Sequence, residues 1–330
     1  MPSDAEESGN WLGPSVRGIG GASLLADLGH EVPTALLPSF LTSTLGAPAA
    51  ALGLIEGVSD GLAGAARLAG GALADDPERR RASAIGGYTA TAVLSGLVGA
   101  ATAAWQVGVL RAAAWTARGL RVPARNALLA DAVQPEVYGR AYGFERALDN
   151  LGAVLGPLLA LALVAVFSAR TAILLSIIPG MLAVVAIVYA IRHLPRLAVH
   201  ERQPLRIRIR PVMRGRLGGL MLGIGAFELG NIAATLLILR ATELLEPGRG
   251  LDEATQTALL LYTGYNVAAT AISIPAGHVG DRRGVVRVLA AGVLLFGVAY
   301  VLLALTGSSI GMLLAGFVAA GVGIGCVETA

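Results

Sequence analysis

The sequence predicts an all-α membrane protein that crosses the bilayer about ten times. Three observations carry this expectation. The 330 residues are 55% hydrophobic and only 14% charged, against about 25% charged in an ordinary globular domain, and the mean hydropathy is +0.69. The apolar residues gather into runs of roughly 20 or more, the length a helix needs to cross the hydrocarbon core. The arginines gather between alternate runs, as loops held on the cytoplasmic side do.

This composition excludes a soluble enzyme, a nucleic-acid-binding domain and a secreted disulfide scaffold. The sequence pI near 9.3 does not argue for nucleic acid, because the net charge is only +3 and the arginines lie between apolar runs. Cys326 is the one cysteine, so no internal disulfide or cysteine metal site can form. Nothing in the sequence asks for a cofactor.

The first run, 17–41, follows an N-terminus without the basic region of a cleavable leader, so it is expected to stay in the mature protein. It carries Asp27, His30 and Glu31 at i, i+3 and i+4, which is one helical face. The second run, 48–74, carries Glu56 and Asp60 beside Gly53, Gly57, Gly61, Ala65 and Ala69. Small residues every four positions let membrane helices approach closely. Runs 83–104 and 106–128 follow the gap DDPERRR, and Arg111 sits about 9 Å inside the second of them at 1.5 Å per residue. Run 141–167 contains Gly152, Gly156 and Pro157, which are expected to thin and bend it. Run 170–192 leads to a linker, 193–216, with three prolines and eight charged groups. The linker divides the chain into a bundle over 1–192 and a second over 217–330. That second part reads as 217–239, with Glu228 and Asn231, then 254–276, with Tyr262, Tyr265 and Asn266, then 285–306 and 309–330.

Gaps after odd-numbered runs hold three arginines and gaps after even-numbered runs hold nineteen. The asymmetry places the even gaps, the linker and the N-terminus in the cytoplasm of a multi-pass cell-membrane protein. An ionisable group at mid-membrane costs roughly 3 kcal/mol or more and is a functional candidate by default. Asp27, His30, Glu31, Glu56, Asp60, Arg111 and Glu228 form that set. They are expected to face a water-filled cavity where acids pair with Arg111 or exchange protons. Asn231, Tyr262, Tyr265 and Asn266 are candidate substrate contacts. A permanently paired packing role is the alternative for Asp27 and Glu31.

The two halves echo each other. Asp27-Leu-Gly-His30 corresponds to Glu228-Leu-Gly-Asn231, and the phrase from Gly71 through Asp75 to Arg79 and Arg80 corresponds to that from Gly277 through Asp281 and Arg282 to Gly284. The offsets are 201 and 206 residues. A Gly-x-x-x-Asp-Arg-x-Gly phrase after the second run and again after the eighth resembles the major facilitator superfamily of secondary transporters. The first copy departs from the pattern, with Asp76 in place of a basic residue and Glu78 in place of glycine. Arg111 with Arg118-Gly119, and Gly152-x-x-x-Gly156-Pro157, are similar to the family's motifs in the fourth and fifth spans.

The resemblance implies two six-helix bundles that move a small-molecule substrate by alternating access. Protons are the expected coupling ion, and the fifth-span motif favours efflux over uptake. In the family the repeated phrase is a conformational latch, so Gly71, Asp75, Arg79, Arg80, Gly277, Asp281, Arg282 and Gly284 are the expected latch residues. Twelve spans are usual there, so the chain is expected to lack the last two. A monomer in the lipid bilayer is expected, and not an enzyme. The alternatives are a membrane-embedded lipid-modifying enzyme, or a transport-inactive sensor or scaffold with the same fold.

The orientation has a direct test. Cysteines placed at Ser3 and at Gln203 should both be protected from an impermeant thiol reagent applied outside the cell. Labelling of either from outside overturns the cytoplasmic assignment.

Overall fold

The computed structural model describes residues 11–194, 218–219, 222–223, 225 and 232–329. Among the described residues the regular structure is helical throughout. Contacts divide the chain into two compact units, Met1–Ile207 and Arg208–Ala330.

In the first unit, α1 (Pro14–Ser39) starts with proline in its first turn, where no amide is needed. It runs through Pro33 and Pro38 into a π-helical turn at Phe40–Thr44. Helix α2 (Ala49–Ala74) follows Pro48, and α3 (Pro77–Leu97) starts at the next proline. A 3-10 turn at Val98–Ala100 separates α3 from α4 (Ala104–Asp131). Helix α5 (Tyr138–Val164) follows a short 3-10 turn, Pro135–Val137. The sixth apolar run forms α6 (Ala169–Leu175) and α7 (Ile177–Arg192), interrupted at Ser176. Ser168 caps α6 by accepting the Thr171 amide, the usual solution for an unpaired N-terminal donor.

Helix α1 packs against α5 and α7, α2 against α4, and α3 against α4 and α7. Glycines permit the closest of these approaches. A Cβ on Gly152 would lie 2.6 Å from the Leu24 carbonyl oxygen, and one on Gly70 would lie 2.7 Å from that of Leu120. Gly156 gives the same clearance to the Glu31 side chain. The small-residue stripe of α2 behaves differently from expectation. Gly57, Gly61 and Ala65 are exposed, and nothing lies within 4 Å of a Cβ at Gly57 or Gly61. The close contact of α2 with α4 is made instead by Ala63, Ala66 and Gly70 against Gly119 and Leu120.

The second unit contains α8 (Ala234–Arg249), α9 (Leu251–Arg283), α10 (Val285–Leu305) and α11 (Ile310–Thr329). Helix α9 packs on α8, α10 and α11, and α10 packs on α11. Two expected gaps are helical. The acidic stretch after position 239 continues as helix to Arg249 and breaks only at Gly250, where φ is 78°. The Gly277–Arg283 phrase is the last part of α9, and Gly284, at φ 94°, ends it. Only glycine adopts such a φ without strain, so the break sits on single residues rather than on the polar stretches.

Five described helical segments are long and apolar enough to cross a membrane: Arg79–Ala100, Ala141–Val164, Ala169–Arg192, Val286–Leu305 and Ile310–Glu328. Helices α1, α2 and α4 fall below that apolar level because they carry the ionisable groups. Arg118, Arg121 and Arg125, which the count of nineteen arginines assigns to the basic gap after the fourth run, lie within α4.

Glycine packing gives a paired expectation. Gly152→Ala should destabilise the purified protein by about 1–3 kcal/mol through overpacking, read as a lower thermal midpoint. Gly57→Ala should leave the midpoint unchanged or raise it, because the methyl meets nothing and the unfolded chain loses freedom.

Candidate functional site

Three helices of the first unit turn polar stripes toward one another. On α4, Arg111, Arg118 and Arg125 recur every seven residues, so they stack on one face about 10 Å apart. On α1, Ser23, Asp27, His30, Glu31 and Thr34 occupy the facing stripe, all buried. On α5, Glu145 and Asp149 continue the line of Gly152 and Gly156. The glycines let α1 approach, and the acids one and two turns earlier reach past it.

The arginines organise this interior into three levels. At the first, Arg111 pairs with Glu56 at 3.0 Å and donates to the Thr34 hydroxyl at 3.1 Å. Its guanidinium lies 3.5 Å from the centre of the Trp115 ring, and the Trp115 indole N–H donates to Asp60 at 2.8 Å. At the second, Arg118 pairs with Asp27 at 3.3 Å and contacts His30 Nδ1 at 2.8 Å. His30 lies 3.3 Å from both Asp27 and Glu31, and its ring meets Trp115 edge-on at 5.5 Å. At the third, Arg125 pairs with Glu145 at 2.6 Å and Asp149 at 3.4 Å. Ser23 bridges this level, accepting from Arg125 at 3.0 Å and donating to Glu145 at 2.6 Å.

Most of the candidate residues of the first half therefore meet. Asp27, His30 and Glu31 form one cluster, and Glu56 and Asp60 share another with Arg111 and Trp115. One expected pairing is corrected. Arg111 faces Glu56, whereas the guanidinium on Asp27 belongs to Arg118, two turns further along α4. Sequence reasoning passed over Arg125, Glu145 and Asp149 as members of the interior, although the heptad spacing of the arginines was the available signal.

The latch residues are placed at the ends of α2 and α3. Asp75 terminates α2. Arg80 pairs with Asp131 at the end of α4 and donates to the Ala74 carbonyl at 2.7 Å. Arg79 lies 3.4 Å from Asp76, which also accepts the Arg79 amide. Thus Asp131, not Asp75, holds the arginine, and Asp76 caps α3. A Cβ on Gly71 would meet nothing within 4 Å.

In the second unit, Tyr262 and Tyr265 stack at 5.7 Å on α9, with Asn266 buried on the same helix. Gly277, Asp281 and Arg282 lie in the last turns of α9, and their side chains fall outside the described set. Glu228 and Asn231 also fall outside the described residues.

The sequence model of the Major Facilitator Superfamily matches residues 19–252. The chain belongs to this superfamily. An uncharacterised MFS-type transporter of Methanocaldococcus jannaschii is 26% identical over 88% of the chain and 72% of its own length. An uncharacterised protein of Mycobacterium tuberculosis is 34% identical over 59% of the chain, which spans about half of that relative's length, 47%. Among solved structures, the nucleoside transporter NupG superposes with a TM-score of 0.70 at 14% identity, covering 96% of this chain and 79% of the other. A D-xylose-proton symporter gives 0.60 at 16%, covering 96% and 80%. These superpositions support the transporter fold of a multi-pass membrane protein.

The lowest level of the ladder predicts a large stability effect. Arg125→Met leaves Glu145 buried without its cation and Asp149 with only the exposed Arg146, at a cost of about 3–5 kcal/mol. Combining it with Glu145→Gln and Asp149→Asn should recover most of the loss, measured as thermal midpoints of the three proteins in detergent.

Proposed function

We propose that this transporter exports a small molecule across the cell membrane by alternating access, driven by protons, with its N-terminus and its 193–216 linker in the cytoplasm. In this reading the bundles are 1–192 and 217–330, and the substrate meets Asn231, Tyr262, Tyr265 and Asn266. The working unit is a monomer in the bilayer.

The observation that supports proton coupling is the Asp27–His30–Glu31–Arg118 cluster. Two carboxylates and one guanidinium contact the histidine, so with a neutral imidazole these four groups sum to one negative charge, and the buried Arg121 guanidinium also acts on Asp27. A single proton, on His30 or on a carboxylate, balances it. Uncompensated charge inside a membrane is costly, so one proton is the natural cargo of such a group. Asp27 or Glu31 is the coupling acid and Arg118 tunes it, in the place first considered for Arg111. The Arg111–Glu56 pair, already neutral in itself, has the weaker claim. Arg79, Arg80, Gly71 and Asp75, with Gly277, Asp281, Arg282 and Gly284, form the two latches in this scheme. The preference for export rests on the likeness of the α5 phrase Gly152-x-x-x-Gly156-Pro157 to the antiporter-associated motif.

The test uses proteoliposomes containing a pH-sensitive dye, screened against a panel of metabolites and toxic compounds. A compound that moves protons with the native protein should fail to do so with Asp27→Asn or with Glu31→Gln. Exchange of that compound without a gradient should survive in the variant lacking the coupling acid. If both variants keep full proton-driven flux, the coupling site is not this cluster.

A further inference from the structure

A groove runs along the surface of the first unit between α2 and α3. Both helices pack closely on α4 and only lightly on each other. Gly87 sets the floor, since a Cβ there would lie 2.5 Å from that of Arg121, so α3 rests directly on α4. Leu73 of α2, Ala82, Gly86 and Ala90 of α3, and Ala117 and Leu120 of α4 form the walls. Ser83 also lines the groove, but its hydroxyl already donates to the Leu120 carbonyl at 3.4 Å. Arg79 stands at one end. Its Nε lies 3.4 Å from Asp76, and its two terminal nitrogens have no partner among the described residues.

The dimensions decide what fits. From Arg79 to Ala90 the groove follows about 16 Å of helix at 1.5 Å per residue, which matches one leaflet of a hydrocarbon core about 30 Å thick. The segment Arg79–Ala100 is apolar enough to cross a membrane, so Arg79, at its start, stands at headgroup depth. Ala117 and Leu120 lie about 100° and 160° around α4 from Arg118, so the groove opens away from the polar interior of this unit. Its volume is about 400 Å³. Spread over that length, this gives a mean section of about 25 Å², a third or less of that of a helix roughly 10 Å across. The width suits a hydrocarbon chain and not a further helix.

We propose that this groove holds one acyl chain of a membrane phospholipid, with Arg79 donating to the lipid phosphate. The wall presents methyl and methylene groups to the chain. The terminal nitrogens of Arg79 suit two phosphate oxygens at once, and the N-terminal end of α3 adds its dipole to the attraction. Asp76 holds the guanidinium from its Nε side and leaves the other edge turned to the ligand. The phosphate is common to all phospholipids, so recognition does not depend on the alcohol beyond it. The site stands independently of what the protein transports.

The experiment adds phosphatidylglycerol, phosphatidylcholine or diacylglycerol, all with the same acyl chains, to the purified full chain stripped of lipid in detergent. Native mass spectrometry counts the lipid retained. The protein should keep one phosphatidylglycerol or one phosphatidylcholine, each several times more tightly than diacylglycerol, and the bound lipid should raise the thermal midpoint. Gly86→Leu, at a position where a Cβ meets nothing within 4 Å, should fold, fill the groove and lose both the lipid and the rise in midpoint. Arg79→Gln should keep a lipid but lose the preference for phosphate over diacylglycerol. Equal retention of the three lipids, retention of phosphatidylglycerol alone, or no retained lipid would each overturn the proposal. So would undiminished retention in Gly86→Leu, an undiminished preference in Arg79→Gln, or a dimer that Gly86→Leu dissociates.

Discussion

Removing a guanidinium from water costs several kcal/mol even after the surroundings relax, and α4 does this at Arg111, Arg121 and Arg125, each no more than 7% exposed. Much of the first unit follows from that constraint. Each of these cations, and the half-buried Arg118, draws a compensating group to its own level: Glu56 from α2 to Arg111, Asp27 from α1 to Arg118, Glu145 and Asp149 from α5 to Arg125, and the Tyr88 ring from α3 to Arg121. The register of α2, α1 and α5 against α4 is thereby tied to positions spaced seven residues apart, and that of α3 to Arg121. A slip of one turn in any of them would strand charge in the interior.

The apolar packing serves the same arrangement. Gly152 and Gly156 bring α1 against α5 closely enough for Ser23 to join Arg125 and Glu145, while Gly70 and Gly119 bring α2 against α4 some turns beyond the Glu56–Arg111 pair, beside which Gly108 packs on Ile55. Close helix approach shortens the ion pairs and keeps lipid and water from between them, which strengthens each pair. The exposed small-residue face of α2 takes no part in this. It is the opposite face of the same helix, and its glycines meet nothing.

Among the described ion pairs, only the Asp27–His30–Glu31–Arg118 group combines two carboxylates with a histidine. The Arg125 level has two carboxylates for one arginine as well, but no histidine, and Arg146 adds a second cation to Asp149 at 3.1 Å. The Arg111 level couples to Trp115, which also touches His30. That ring therefore contacts two levels of α4 at once.

The class of fold was legible in the sequence because hydropathy is a sum over neighbours along the chain. Apolar runs, the arginine asymmetry and the repeated glycine-aspartate phrase need no third dimension. Candidate residues on a single helix were equally legible, since Asp27, His30 and Glu31 share a face by helical geometry alone. Helix ends were less so. The polar stretches after 239 and before 284 read as loops, yet helix continues through both, because glycines at 250 and 284 rather than polarity set the breaks. Only the tertiary structure decided partners. Arg118 reaches Asp27 and Arg111 reaches Glu56 because of how far α4 slides along α1 and α2. That offset is fixed by side chains interlocking between helices, and no local pattern in any one of them encodes it.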